Sequence, residues 1–212
     1  AEIVALGPGV RVYKDKKTLF YNGEKLSPGF QIYDESERWT WEVIIILPGV
    51  EVIPEMTFNG CRNVKTVIMA DTVRRIERSA FYSCKSLIFV KLSRNLEYIG
   101  MSAFNGCTSL PSIFIPQSCR EIGEWAFRGC IRLLIFYVPQ HTTLGADVVV
   151  DTALIRASPF VFGISGNQQE EVHEWIKSIN TEEEYALHRA CISFNPFDCI
   201  GHDDCLEIQT TT

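Results

Sequence analysis

Eight cysteines and four histidines are the residues of this 212-residue chain best suited to metal, thiol or acid–base chemistry. Four of the cysteines, Cys61, Cys84, Cys107 and Cys130, recur at intervals of 23 residues. A thiol repeated at fixed spacing can ligate a metal, pair in a disulfide or fill a packed position. A zinc site wants close pairs such as C-x-x-C, and these four offer none. Cys199, His202 and Cys205 are spaced C-x-x-H-x-x-C, which supplies three ligands without a clear fourth. His173-Glu174 does not extend to H-E-x-x-H, and His188 stands beside Arg189 with no catalytic partner in the sequence. G-x-S-x-G, P-loop and G-x-G-x-x-G motifs are all absent. The pattern predicts a non-catalytic protein with no metal and no cofactor.

What must position those cysteines is a longer recurrence. AFYSCKSL at 80–87, AFNGCTSL at 103–110 and AFRGCIRL at 126–133 share one skeleton, and TFNGCRNV at 57–64 is a fainter copy. Phe58, Phe81, Phe104 and Phe127 keep the period, as do Ile53, Ile76, Ile99 and Ile122. Val64, Leu87, Leu110 and Leu133 follow it, then Val67, Val90, Ile113 and Phe136, then Met69, Leu92, Ile115 and Val138. Phased columns at such a period mean stacked coils. Each copy carries an aliphatic-x-aliphatic alternation, the mark of a short strand with one buried face. Ile-x-x-x-Ala-Phe, as at 99–104, has the spacing of a single helical or 3₁₀ turn. No coil can bury its apolar face alone, so stacking must build one inner column.

The Cys column falls between two core columns, which predicts inward, packed thiols, since free Cys behaves as a small buried hydrophobe. Neighbouring coils could bring two Cys Cα atoms into disulfide range, so geometry alone does not decide the matter. The want of a secretory signal points to reduced thiols. Phe58, Phe81, Phe104, Phe127 and the four cysteines are therefore expected to be structural core.

The phased pattern L-x-x-V-x-L … I-x-x-x-A-F-x-x-C-x-x-L is carried by Leu87, Val90, Leu92, Ile99, Ala103, Phe104, Cys107 and Leu110. It resembles the BspA-type leucine-rich repeat. VEVIPEMTFNGCRNVKTVIMADTVRRIE is also similar to a large set of intracellular repeat proteins of diatom algae. The resemblance covers about 43–155 and implies a right-handed α+β solenoid of 23-residue repeats whose usual role is binding other proteins. Bacterial BspA relatives are surface adhesins, and the family brings no catalytic residue.

Four segments follow from this reading: an N-terminal β cap at 1–40, the solenoid at 41–155, a helical C-terminal cap at 156–194 and a disordered tail at 195–212. Asn22-Gly23 between apolar runs predicts a hairpin in TLFYNGEKL at 18–26. WEVIII at 41–46 supplies the first strand of the repeat, and LGADVVVDTALI at 144–155 is an eroded fifth copy with Val149 for Phe and Thr152 for Cys. Val172, Trp175, Ile176 and Ile179 fall on one helical face within 170–180. TALIRA at 152–157 and YALHRA at 185–190 resemble the T-P-L-H-x-A turn of ankyrin repeats, without its Pro.

No apolar run reaches the length of a membrane span, and there is neither a signal-peptide pattern nor an N-x-Ser/Thr sequon. These features lead to the expectation of a cytoplasmic or otherwise intracellular protein with no membrane partner. The net charge of −6 is uneven: residues 60–95 carry eight Lys/Arg against two acids. The strand residues that alternate with the core form two outward rows. One is Ile45, Ile68, Lys91, Phe114 and Tyr137; the other is Val43, Thr66, Phe89, Ser112 and Ile135. Ile45, Ile68, Phe89, Lys91, Phe114, Ile135 and Tyr137 are the candidate partner-binding residues of a concave strand face. Self-association over this face is the competing occupant. The alternative functions are a cell-surface adhesion-type repeat, or an acidic-ligand or nucleic-acid binder using Arg62, Lys65, Arg74, Arg75, Arg78 and Lys85. No recognised nucleic-acid motif accompanies those cations, so nucleic acid ranks below a protein partner.

Overall fold

Aliphatic alternation becomes strand wherever the repeat demands it. The structure is a computed structural model and describes residues 3–7, 10–13, 17–23, 41–158 and 169–180. Three strands precede the repeats: β1 (Ile3–Gly7), β2 (Val10–Tyr13) and β3 (Thr18–Tyr21). The coils then contribute β4 (Val43–Ile46), β5 (Val52–Ile53), β6 (Thr66–Met69) and β7 (Arg75–Ile76). They continue with β8 (Phe89–Lys91), β9 (Tyr98–Ile99), β10 (Ser112–Phe114) and β11 (Glu121–Ile122). β12 (Ile135–Tyr137) and β13 (Thr143–Leu144) complete the set.

Each coil carries two strands, and each joins a different parallel sheet. Ile44 lies opposite Val67, and Val67 opposite Val90, so one 23-residue step moves each side chain directly onto its counterpart. The second sheet runs β5-β7-β9-β11-β13, two residues wide. It gathers Ile53, Ile76, Ile99, Ile122 and Leu144 into one buried column. The sequence reading recognised that column but not that it belonged to a sheet.

The long sheet is interrupted once. It runs β1-β2-β3-β4-β6-β8, whereas β10 and β12 form a separate pair. Elsewhere two successive amides share one carbonyl of the coil before: Lys65 and Thr66 on Glu42, Ile88 and Phe89 on Lys65, Leu134 and Ile135 on Pro111. Pro111 occupies this position in the fourth coil and has no N–H to give. The ladder fails at that step, and Val90, expected in the core, is only partly buried.

The single helical or 3₁₀ turn expected at 99–104 keeps bonds of the three-residue kind, Ala103 N–H to Gly100 O at 3.2 Å, but not a helical backbone. Met56, Ser79, Ser102, Trp125 and Asp147 all have φ between 53° and 58°, one per coil. A second left-handed position follows four residues later, held by Gly60, Ser83, Gly106, Gly129 and Asp151. Left-handed residues interrupt a helix, and the chain instead alternates bonds within and between coils. Cys107 N–H donates to Phe104 O at 3.2 Å, while Phe104 N–H donates to Ala126 O in the next coil at 2.8 Å. Coils approach closely at Gly100, Gly123 and Gly145; a Cβ on Gly123 would lie 2.6 Å from Met101 N.

The core is the predicted inner column. Phe58, Phe81, Phe104 and Phe127 are fully buried, with successive ring centroids 5.1, 5.1 and 5.3 Å apart. The last two pairs are parallel within 5° and 3°. That spacing is close to the roughly 4.8 Å between strands of a sheet, so the stack is the side-chain image of the backbone ladder.

At the N-terminal end the hairpin lies elsewhere than predicted. β3 pairs antiparallel with β2 and parallel with β4, so both its edges are taken. The reversal therefore precedes Thr18, and Asn22-Gly23 leads out of β3 with Gly23 at φ +88° against Val50. β3 behaves as one more strand of the solenoid, with Leu19 and Tyr21 in the core.

At the other end the last coil turns into α1 (Ala153–Arg156). Thr152, in the Cys column, is its N-cap, accepting from Ile155 N–H at 3.2 Å. α2 (Gln169–Ser178) lies on the final coil with Val172 and Ile176 buried. Trp175 is partly buried and Ile179 exposed, so the apolar face is narrower than the spacing predicted. Asp147 N–H donates to Gln169 Oε1 at 3.1 Å, where Trp125 N–H in the coil before has Ala146 O. Val138 N–H likewise donates to Asn180 Oδ1 at 3.3 Å. Two carboxamides thus take the places that next-coil carbonyls fill elsewhere in the solenoid. The ankyrin-like stretch at 185–190 and the tail at 195–212 lie outside the described residues.

Candidate interaction surface

The thiols come first, because they were the chain's best chemical candidates. Cys61, Cys84, Cys107 and Cys130 are buried and free. Each of the last three donates its S–H to a carbonyl of the coil before: Cys84 to Phe58 O, Cys107 to Phe81 O and Cys130 to Phe104 O, at 3.2 to 3.3 Å. The bond to Cys84 and burial push Cys61 well above the usual thiol range, while burial leads for Cys107. The neighbouring Cys107 and Cys61 side chains pull Cys84 downward, against its burial. Full burial and its own bond to Phe58 O hold it as the thiol. Cys119, outside the column, is pushed up to about 12 by burial. These are packing thiols.

Among the described residues no group of three His, Cys, Asp or Glu could hold a metal. Cys199, His202, Cys205 and His188 lie outside those residues. His173 is partly buried, which lowers its pKa against the opposing influence of a backbone bond at Gly145.

The outward rows of the long sheet form a surface of mixed depth. Phe20, Ile45, Ile68 and Lys91 stand in register along one row, which Phe114 and Tyr137 continue beyond the sheet break. The Phe114 and Tyr137 rings stack at 4.9 Å and 10°. Ile45, Ile68, Phe114 and Tyr137 are half-buried. Lys91 departs from the exposed position expected of it, keeping only 7% of its surface. Its stem lies in the row between Ile68 and Phe114, and Nζ reaches to 4.0 Å from Asp71 Oδ1. Partial burial pushes Asp71 up, but bonds from the Arg94 side chain and amide, with the Lys91 and Arg94 charges, outweigh it and hold the carboxyl below its usual range. In the second row Phe89 is 54% and Ile135 43% exposed, whereas Val43, Thr66 and Ser112 are half-buried.

The proposed basic patch does not assemble on one face. Arg74 pairs with Glu97 at 2.5 Å, and Arg75 with Glu77 at 2.8 Å while lying 4.2 Å over the Tyr98 ring. Arg78 faces Glu55 at 3.8 Å. These three belong to the second sheet and its following turn. Arg62, Lys65 and Lys85 sit where the turn enters the long sheet, with Lys65 on Glu42 at 2.8 Å. Glu42 also takes Lys17 at 2.7 Å, and the two ammonium hydrogen bonds, Lys17 first, lower its pKa to about 2.

One set of residues escaped the sequence reading. Ile88 and Leu134 are 49% and 54% exposed, and Ile131 and Pro111 are exposed too. The column of Ile88, Pro111 and Leu134 begins with Glu42 and Lys65, which already mark it as facing water. Alternation marks outward residues within the strands only, and this column lies one residue ahead of them.

Phased columns, two parallel sheets and a continuous aromatic stack are what the family comparison meets. The profile described as BspA type leucine rich repeat region matches residues 37–152 in six copies. The chain belongs to the BspA-type leucine-rich repeat family. BspA-type repeat proteins are typically interaction or adhesion proteins and are generally non-catalytic. Solved relatives include a leucine rich cell surface protein of Faecalibacterium prausnitzii, 33% identical over 48% of this chain and 27% of that one, TM-score 0.47. A leucine-rich repeat protein of Bacteroides ovatus is 26% identical over 53% of this chain and 36% of its own, TM-score 0.44. One from Bacteroides capillosus is 28% identical over 65% of this chain and 98% of its own, TM-score 0.45. This BspA-type chain spans about a quarter to a third of the first two. No curated protein matches it. Among the described residues no helix is long and apolar enough to cross a membrane.

Proposed function

We propose that the chain is a non-catalytic interaction module that binds a protein partner on the outward face of the long sheet. Ile45, Ile68, Phe89, Lys91, Phe114, Ile135 and Tyr137 make the contact. The observation carrying this reading is the stacked Phe114–Tyr137 pair, half open and set beside the exposed Phe89 and Ile135. Aromatic side chains that are already ordered lose little entropy on binding and are common anchors of interfaces. Lys91, sunk in the same row with its ammonium toward Asp71, lends its stem to the floor of the face. Pairing of Arg74, Arg75 and Arg78 with carboxylates takes these three out of the acidic-ligand or nucleic-acid alternative and weighs against a single basic patch spanning residues 62–85.

The test is crosslinking in native cells followed by mass spectrometry, comparing wild type with Phe114→Ala/Tyr137→Ala. The double variant should lose a crosslinked protein while keeping its circular dichroism and melting temperature. If it unfolds, the face is core and the proposal is wrong.

A further inference from the structure

The rim where the turns enter the long sheet carries an apolar patch that the fold does not require. Ile88, Pro111 and Leu134 occupy three successive coils of one column, and Phe89, Ser112 and Ile135 the next. Ile88, Phe89, Pro111, Leu134 and Ile135 are all exposed, and Ile131 joins them from the turn before Leu134. In earlier coils the same columns hold Glu42 and Lys65, and Val43 and Thr66, so packing accepts polar residues at three of these four places. Large aliphatics in water at such positions are an interaction feature, not a core feature.

Charge within the strip that carries the patch has one sign, with Glu42 and Asp151 in the coils on either side. Segments 59–66, 82–89, 105–112 and 128–135 form this strip, and they contain Arg62, Lys65, Lys85, Arg128 and Arg132 but no Asp or Glu. The whole chain nevertheless has a net charge of −6. Of the five, Lys65 is paired with Glu42 and Arg128 lies 3.7 Å from Asp151; among the described residues no carboxylate is in ion-pair range of Arg62, Lys85 or Arg132. The patch also sits over the sheet break, where neither Pro111 nor Ser112 donates to the Ile88 carbonyl.

We infer that this rim is a docking site for an acidic amphipathic segment of a partner protein, its apolar side on Ile88, Phe89, Leu134 and Ile135 and its carboxylates toward Arg62, Lys85 and Arg132. Charge complementarity selects an acidic occupant, and the aliphatic centre selects protein over nucleic acid, because single-stranded bases are held by aromatic platforms. The inference rests on the reading of the chain as an interaction module and names the partner's chemistry at a rim that shares Phe89 and Ile135 with the strand face.

The probe is a fluorescein-labelled helical peptide of Glu and Asp with Leu or Phe at i, i+3, i+4 and i+7, titrated against the full chain by fluorescence anisotropy. It should bind saturably, more weakly as salt rises. Ile88→Ser/Leu134→Ser and Arg62→Glu/Lys85→Glu should each weaken it by about tenfold or more, with unchanged melting temperature. Phe114→Ala/Tyr137→Ala should leave it unchanged, which separates this site from the strand-face site. No saturable binding, equal binding of a peptide with Lys in place of the acids, tighter binding of single-stranded DNA, or no effect of either rim variant would each overturn the inference. So would a wild-type dimer in sedimentation that Ile88→Ser/Leu134→Ser converts to monomer, which would assign the patch to a second copy.

Discussion

Removing the Phe104 ring should be among the most damaging single changes in the chain. Phe104 is fully buried, with Phe81 at 5.1 Å on one side and Phe127 at 5.3 Å on the other. Phe→Ala in a core costs about 3–5 kcal/mol, from lost transfer energy and the cavity left behind. Here the cavity is closed above and below by rings held at strand spacing, so it cannot collapse without bending the backbone ladder. Two aromatic contacts also vanish, each about 0.5–1.5 kcal/mol beyond area burial. Phe104→Ala should therefore fall in the upper half of the range, about 4–5 kcal/mol. The assay is urea unfolding followed by tryptophan fluorescence and far-UV circular dichroism. Phe81→Ala and the double variant complete a cycle whose coupling energy should be about 0.5–1.5 kcal/mol, as for neighbours in contact. A loss under about 0.5 kcal/mol, the size of a surface change, or additive effects in the cycle, would refute the stacked column as the source of stability.

Gly123→Ala should destabilise the fold by about 2 kcal/mol or more, because its Cβ would lie 2.6 Å from backbone in the neighbouring coil. Gly60→Ala, at φ +75° in open space, should cost only about 1 kcal/mol; equal melting-temperature losses would contradict the close approach. Glu42 has a folded pKa of about 2 against an ordinary 4.5, so its contribution is present above the higher value and lost as pH falls toward the lower. Urea midpoints should decline across that window, and Glu42→Gln should flatten the decline; identical pH profiles would reject the Lys17–Glu42–Lys65 bridge. Cys61, Cys84, Cys107, Cys119 and Cys130 should resist a thiol reagent in the native chain and react in urea, with mass mapping to locate any that modify early. Rapid native labelling of Cys84 would show an ionised, accessible thiol where the structure has a packed one.

Legibility differed from residue to residue. Phe81, Phe104 and Cys107 could be placed in the core from the 23-residue phase alone, because a stacked coil must put like side chains on top of each other. Lys91 could not. Alternation assigns it to the outward face, but how deep it sits depends on Ile68, Phe114 and Asp71, which come from other coils. The helical turn at 99–104 was misjudged because Ile-x-x-x-Ala-Phe spacing reports which residues face inward and says nothing about φ at Ser102. The Asn22-Gly23 hairpin failed for a related reason. A turn dipeptide marks a change of direction, whereas pairing of β3 with β4 is decided by which strand completes the sheet edge.

The amino-acid order by itself determined the repeat length, the identity of the inner columns and the packed fate of the thiols, since each follows from periodicity and burial within one coil. Tertiary structure alone decided where the long sheet breaks, since Pro111 matters only when Ile88 of the preceding coil lies opposite it. It also decided which cations stand together, since residues 23 apart in sequence become neighbours across the coils while Arg74 and Arg75, adjacent in sequence, find different carboxylates. The physical reason is common to both: a hydrogen-bond ladder and a charged surface are properties of pairs, and in a solenoid the pairs are made by stacking.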